Sequence, residues 1–227
     1  MPDHVRLENV ESGISTLQRV PIGIQKNTLE IAYFNFTKTP ISIVSAQDMS
    51  YMDKFVPSLA QVIQNINGVN LYVVDADDII SNSSIFTNYY GSSNPDFLNK
   101  FEEISQNSNE QSIVLFYGFD SYKGKLSSED DSKFKNLLSN LKTNTSVKVI
   151  IADAVAKIKN YEYDEFYRDN VNAINAIWIG SGITEQFTIK SSTYNKDTRA
   201  QIPNDYGYNV VMGNAIFIKL LDFYTED

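Results

Sequence analysis

Residues 40–55, PISIVSAQDMSYMDKF, have the outline of a phosphate-binding loop. An apolar run leads through a turn of small residues into a segment whose apolar side chains have helical spacing. In the nucleotide-binding motif G-x-x-x-x-G-K-[ST], glycines let backbone N–H groups surround the phosphates, lysine neutralises their charge and the hydroxyl binds Mg²⁺. The corresponding positions here hold Ser45, Ser50, Tyr51 and Met52. The loop therefore lacks the glycines, the cation and the metal-binding hydroxyl.

Asp48 adds a negative charge to this loop. A carboxylate at the start of a helix accepts the N–H groups that a phosphate would use, and it repels an incoming phosphate. We therefore predict that the Asp48 carboxylate takes the place of a phosphate in this loop. The alternative is an ordinary helix start after a buried strand, which any α/β protein contains.

The composition excludes several kinds of site. The chain of 227 residues has no Cys, which rules out disulfides, thiolate metal sites and cysteine nucleophiles. Its one histidine, His4, lies in a polar N-terminal segment and is expected to face solvent. Lys and Arg number 19 against 28 Asp and Glu, so nucleic acid is not an expected partner. The apolar runs are too short for a bilayer, and no signal-peptide core is visible, so we expect a soluble cytosolic chain without direct membrane insertion.

Strands alternate with helices along the chain. Strands are predicted at residues 17–24, 28–36, 41–45, 69–75, 112–119, 147–152, 176–180 and 186–189. Residues 208–212 and 215–221 form a β-hairpin turning at Gly213 and Asn214. The pattern predicts an α/β fold with a mainly parallel central sheet flanked by helices, extra N-terminal strands and a C-terminal β-hairpin. We expect a peripheral segment at residues 1–16 and a single domain at residues 17–227.

Four segments, in this order, resemble motifs of one protein family. Residues 19–24, RVPIGI, are similar to a P-[IV]-G-[IL] stretch, and residues 40–55 lie where a Walker A loop belongs. Residues 113–120, IVLFYGFD, resemble a Walker B strand, and residues 177–186, IWIGSGITEQ, a W-[VI]-G-x-G segment. Together they resemble the C-terminal, third ATPase-type domain of the FtsK/SpoIIIE-like coupling proteins of type VII secretion, the EssC branch. The resemblance implies a RecA-like P-loop NTPase fold in a cytoplasmic domain of a cell-membrane-anchored bacterial protein.

The departures from the family pattern concern the catalytic groups. A Walker B strand ends in an Asp that holds Mg²⁺ through water, whereas the aligned position here is Tyr117, followed by Gly118. Asp120, three residues further on, suits a turn or cap. Since phosphoryl transfer depends on positioning and charge neutralisation, these losses together predict a non-hydrolysing domain with no catalytic residue, metal or cofactor. The alternatives are a weak ATPase that binds ATP and Mg²⁺ and is completed by a neighbouring subunit, and a freestanding α/β scaffold.

Two other segments carry possible binding groups. Asp75, Asp77 and Asp78 follow a strand and could take Mg²⁺ or Ca²⁺, but a solvated turn capped by Asp explains them more simply. Phe86, Tyr89 and Tyr90 lie in a loop rich in Ser and Asn that suits peptide contact, although Phe86 and Tyr89 could equally cover the core. The resemblance implies secreted helical-hairpin substrates or adaptors as partners, together with other ATPase domains of the same coupling protein.

Overall fold

The computed structural model describes residues 2–6, 8, 15–92, 96–107 and 110–223. Within these residues, ten strands form a single sheet. The strands are β1 Val20–Gln25, β2 Ile31–Phe34, β3 Ile41–Ala46, β4 Val69–Asp75, β5 Tyr89–Tyr90, β6 Gln111–Tyr117, β7 Val147–Ala154, β8 Val171–Ile179, β9 Tyr206–Val211 and β10 Asn214–Leu220. The α-helices are α1 Phe55–Gln64, α2 Phe97–Gln106, α3 Phe119–Gly124, α4 Ser128–Asn140, α5 Val155–Ile158 and α6 Glu165–Asn170.

The sheet has the order β2-β1-β10-β9-β8-β3-β7-β6-β4-β5. The six strands from β8 to β5 are parallel, and β3 lies between β7 and β8. The strands β9, β10, β1 and β2 extend the sheet in antiparallel pairs. The predicted α/β fold is therefore confirmed. The sequence did not predict that the C-terminal hairpin lies between the N-terminal strands and the parallel strands.

The core lies on both faces of the sheet. Every residue of β3 is buried, as expected for a central parallel strand covered by helices on both sides. On one face, the apolar stripe of α1, including Phe55, Leu59 and Ile63, packs against the strands. On the other face, aromatic rings of α2, β6 and α4 form a cluster in which Phe101, Phe116 and Phe134 have centroids 5.5–6.3 Å apart. Burial of these rings supplies much of the hydrophobic stabilisation.

Two local predictions need correction. The strand predicted at residues 186–189 is wrong, because the Gln186 side chain closes a turn. Its Oε1 accepts from Ile189 N at 2.8 Å and its Nε2 donates to Ile183 O at 3.0 Å. The hairpin turns at Met212 and Gly213, one residue earlier than predicted, with φ of 52° and 79°. Positive φ at both central residues is the geometry that two-residue hairpins favour.

None of the described helices has the length and apolar character needed to span a bilayer. Of the N-terminal segment, Val5 is fully buried, and its N–H donates to Asp222 Oδ1 at 2.6 Å. His4 is exposed, and its Nδ1 lies 2.7 Å from Asp222 Oδ2. These contacts hold residues 4 and 5 against the C-terminal end of β10.

Candidate functional site

The loop after β3 is closed by its own side chains. Asp48 caps a short 3-10 helix, Met49–Met52, by accepting from Ser50 N at 2.9 Å and Ser50 Oγ at 2.8 Å. These hydrogen bonds lower the pKa of the exposed Asp48 carboxyl. The cap thus uses a backbone N–H that a phosphate loop would offer to its ligand. Helix α1 begins only at Phe55, after Lys54, which makes no side-chain cap.

Three other predicted loop residues are held by contacts within the domain. Ser45 is fully buried, and its Oγ donates to Asp153 O on β7 at 2.8 Å. Met52 is fully buried in the core beneath α1. Tyr51 is half-buried and lies against Gly180, where an added Cβ would come within 3.1 Å of the Tyr51 ring. Gly180 has a φ of +73°, so this close approach and the backbone both favour glycine.

The end of β6 is joined to the loop by one hydrogen bond. Tyr117 is fully buried, and its hydroxyl donates to Asp53 Oδ1 at 2.8 Å. Burial and the nearby Asp53 carboxylate raise the pKa of Tyr117, so the hydroxyl stays protonated at neutral pH. Gly118 follows with a φ of +81° and turns the chain into α3. The end of β6 is therefore joined to the loop by a neutral donor, the Tyr117 hydroxyl.

Asp120 lies in the first turn of α3 rather than at the predicted turn or cap position, and the N-cap of this helix is Gly118. Its carboxylate accepts from Tyr161 at 2.6 Å and from Lys157 at 2.9 Å, while its N–H donates to Asp153 at 2.8 Å. Burial alone would raise the pKa of Asp120, but the hydrogen bonds from Tyr161 and Lys157 outweigh it and lower the pKa. The Asp120 carboxylate thus joins α3 to the segment of Lys157 and Tyr161, and its backbone N–H joins α3 to Asp153 at the end of β7.

The carboxylates at the end of β4 and just after it bind groups within the domain. Asp75 is fully buried and accepts from Ile79 N at 3.0 Å, Ile80 N at 2.8 Å and the Tyr89 hydroxyl at 2.9 Å. Burial raises the pKa of Asp75 despite these hydrogen bonds. Asp77 binds Ser121 and Lys125, at 2.7 and 3.0 Å. Across the described residues, no group of three or more His, Asp or Glu side chains is arranged to hold a metal ion.

The three aromatic residues proposed for peptide contact have different environments. Phe86 is only 5% exposed and belongs to the core. Tyr89 is half-buried and donates to Asp75, and Tyr90 is half-buried with its ring 4.9 Å from that of Phe97. Tyr90 also lines a cavity of about 50 Å³ at the edge of the sheet. Peptide contact at this loop stays a prediction, and Phe86 is the least available of the three.

A larger cavity, of about 430 Å³, opens beside the loop. We call it the loop cavity, and it is lined by residues 50–51, 53–55, 203–205 and 221–222 and by His4. Its walls contain three carboxylates, those of Asp53, Asp205 and Asp222, against the single ammonium of Lys54. Sequence reasoning found the loop but missed Asp53 and this cavity, because its other walls come from the C-terminal hairpin region more than a hundred residues away.

The strand order and the loop after β3 define the class of the fold, a P-loop NTPase-like α/β domain. No family model matches the chain, and no curated protein matches it in sequence. The likeness is to solved structures.

Two of these structures are ATPase domain pairs of type VII secretion. EssC (ATPases 2 and 3) from Geobacillus thermodenitrificans has a TM-score of 0.77 at 13% identity and matches 98% of this chain. EccC (ATPases 2 and 3) of Thermomonospora curvata, in complex with a signal sequence peptide, has a TM-score of 0.69 at 14% identity and matches 99%. This chain spans 45% and 44% of those two chains, less than half of either.

A third structure, the pCW3 conjugation coupling protein TcpA in a monomer form with ATPγS, has a TM-score of 0.63 at 11% identity. The match covers 99% of this chain and 71% of TcpA. At these identities the shared feature is the fold.

Proposed function

We propose that this chain is a non-hydrolysing P-loop-fold domain of a type VII secretion coupling protein, acting on the cytoplasmic side of a membrane-anchored parent. The observation that carries the proposal is the hydrogen bond between Tyr117 and Asp53. It joins the position of the Walker B carboxylate to the start of α1, where a P-loop ATPase holds its Mg²⁺ and phosphates. Tyr117 is a neutral donor that cannot hold Mg²⁺ as a carboxylate would, and the Asp53 carboxylate already accepts from it.

The electrostatics of the loop support the same conclusion. In phosphoryl transfer the protein supplies cations and N–H donors that neutralise the phosphate charge. Here the loop contributes Asp48 and Asp53, and the lysine of the motif is replaced by Tyr51. Lys54 lies near the loop, but at the entry of α1, with an exposed side chain. Energy for transport would come from other ATPase domains of the same protein.

The domain's task in this proposal is recognition of secreted helical-hairpin substrates or adaptors. The fold shared with the EssC and EccC domain pairs supports it, as does the EccC structure that contains a signal sequence peptide. On this chain we assign the contact to Tyr89 and Tyr90, two half-buried aromatic residues that form the edge strand β5. Aromatic groups of this kind combine apolar area with a polar tip.

The test is phosphate release from Mg-ATP by the isolated domain and by the same domain in its parent protein. We expect no release above the buffer rate from the isolated domain. Phosphate release by the isolated domain that is lost in the Tyr117→Phe variant would contradict the proposal. Activity that appears only with neighbouring domains and is lost on changing Tyr51 or Met52 would instead favour a weak ATPase completed by a neighbouring subunit.

A pull-down of small secreted helical-hairpin proteins tests the recognition role separately. Capture should weaken when Tyr90 is replaced by Ser. The matched control is Tyr163→Ser, which removes an aromatic residue that is 87% exposed on a remote turn. This control should leave capture unchanged if binding is specific to the edge of the sheet. Failure to capture any secreted protein would contradict the recognition role and favour the interpretation as an α/β scaffold.

A further inference from the structure

A groove with exposed aromatic walls lies in the segment that joins β8 to β9. It has a volume of about 270 Å³ and is lined by residues 183–184, 186–187, 189–191 and 193–194. We call it the aromatic groove, because Phe187 and Tyr194 line it while 87% and 71% exposed. Met212, on the hairpin turn that Ser192 N contacts through Gly213 O at 2.7 Å, is 74% exposed. Large apolar side chains grouped in solvent mark an interaction surface.

Hydrogen bonds within the segment hold the groove in shape. Gln186 closes the turn that carries Phe187, since its Oε1 accepts from Ile189 N at 2.8 Å. The turn after the second aromatic residue is closed by Asn195 and Thr198. Asn195 N donates to Thr198 Oγ1 at 3.0 Å, and Thr198 N donates to Asn195 Oδ1 at 3.0 Å. A surface that is ordered before binding loses less conformational entropy when a partner docks.

The hydroxyl groups of the lining are engaged within the domain. Thr193 Oγ1 accepts from Ala215 N at 2.9 Å, and Ser191 Oγ accepts from Thr193 N at 3.1 Å. The exposed side chain of Lys190 is the one charged group among the lining residues. The groove therefore offers a partner aromatic surface and one ammonium.

Two more cations lie in the same segment. Lys196 and Arg199 are exposed, and the Arg199 guanidinium lies 4.8 Å from the centroid of the Tyr194 ring. Lys190 and Lys196 take part in none of the ion pairs between described residues. A guanidinium stacked on an aromatic ring is a frequent element of protein interfaces. These cations are available to a negatively charged partner.

The carboxylates of the segment do not offset these cations. They are Glu185 and Asp197, and neither lines the groove. Asp197 binds Lys26, from another part of the chain, at 3.0 Å. The surface is therefore locally positive, although the whole chain has a net charge of −9. Charge complementarity at such a patch favours an acidic partner.

We propose that the aromatic groove binds an extended acidic segment of a partner protein. An apolar side chain of that segment packs on Phe187 and Tyr194, and the flanking carboxylates pair with Lys190 and Arg199. A concave groove of about 270 Å³ suits a side chain of a peptide better than the flat face of a domain. The surface goes beyond the proposed function and is separate from Tyr90, since four strands lie between β8 and β5.

The experiment is fluorescence anisotropy of the 227-residue chain with two short fluorescein-labelled peptides. In the acidic peptide a Phe is flanked on both sides by Asp and Glu, and in the neutral peptide Asn and Gln replace them. We expect the acidic peptide to bind roughly tenfold more tightly than the neutral one at low salt. This difference should shrink when ionic strength rises from about 0.05 M to about 0.5 M, because salt screens exposed charges.

Four variants locate the binding surface. Phe187→Ser should weaken binding of the acidic peptide roughly tenfold, whereas Tyr163→Ser, which removes an aromatic residue that is also 87% exposed, should leave it unchanged. Lys190→Gln should weaken binding about threefold and reduce its salt dependence. Lys159→Gln removes an exposed lysine outside the groove lining and should change neither.

Three results would overturn the inference. The two peptides could bind equally, or Phe187→Ser could bind the acidic peptide as wild type does. Sedimentation velocity could also show self-association that Phe187→Ser abolishes, which would mean that a second copy of the chain occupies the groove. The proposed function stands in each case, because neither ATP hydrolysis nor capture through Tyr90 involves the groove.

Discussion

Replacement of Tyr117 by phenylalanine tests the bond that joins β6 to the loop. The change removes one oxygen, which donates to Asp53 at 2.8 Å from a fully buried side chain. A hydrogen bond to a charged group contributes roughly 1.5–3 kcal/mol to stability. Because Asp53 is only half-buried and can be hydrated when the hydroxyl is lost, we expect the low end, about 1.5 kcal/mol of unfolding free energy.

Urea and thermal unfolding measure this loss. For a domain of this size, about 1.5 kcal/mol corresponds to a fall in Tm of roughly 3–6 °C. Tyr122→Phe is the matched control, since the Tyr122 hydroxyl is buried without a hydrogen-bond partner in the described part of the chain. Its removal leaves no partner unsatisfied, so the control should be neutral or slightly stabilised.

A double-mutant cycle with Asp53→Ala isolates the pair. If Tyr117 and Asp53 interact as described, the two substitutions should be non-additive by about 1 kcal/mol or more. The reasoning is refuted if Tyr117→Phe costs less than about 0.5 kcal/mol, or if the two effects simply add. In either case Asp53 would be no more than a neighbour of Tyr117.

Three further substitutions test other parts of the structure. Asp48→Ala should lower the urea midpoint, because it removes the side chain that caps Ser50 N, whereas Asp48→Asn should keep the wild-type midpoint. Equal midpoints for Asp48→Ala and wild type would count against the capped loop. Gly180→Ala should destabilise the domain by about 1–2 kcal/mol, because Gly180 has a positive φ and an added Cβ would approach Tyr51. Gly124→Ala should not destabilise it, because a Cβ added there has no neighbour within 4 Å. A lower Tm for Gly124→Ala than for Gly180→Ala would refute the packing described. Asp120 has a lowered pKa in the folded state, so its contribution is present above the ordinary value of 3.8 and is lost as pH falls below it. Acid unfolding of Asp120→Asn should therefore show a weaker pH dependence than wild type, and an unchanged profile would contradict the role of Tyr161 and Lys157.

The parallel strands could be predicted because a run of apolar residues marks a strand that is buried on both faces. Strands β3, β6 and β7 each contain a run of buried apolar residues, at residues 43–44, 113–117 and 149–152, and α1 has a regular stripe. The hairpin β9–β10 was also visible, since Gly213 marks its turn. Its place in the sheet was not, because strand order depends on contacts between segments far apart in sequence.

In the candidate site, too, local features could be predicted from the sequence and long-range contacts could not. The predicted loss of phosphate-loop chemistry rests on local residue types, those of Ser45, Tyr51 and Met52, and it stays a prediction. The hydrogen bond between Tyr117 and Asp53 spans 64 residues, and no local pattern marks Asp53 as the partner. Residues 186–189 were mistaken for a strand because the side chain of Gln186 replaces the expected backbone pairing.

The most direct measurement of the central claim is a calorimetric titration of the domain with Mg-ATP. We expect no binding tighter than about 1 mM, because Asp48 occupies a loop donor and Tyr117 and Asp53 bind each other. Micromolar binding that is abolished by changes at Ser50, Tyr51 or Met52 would contradict the claim and show that the loop still holds phosphates.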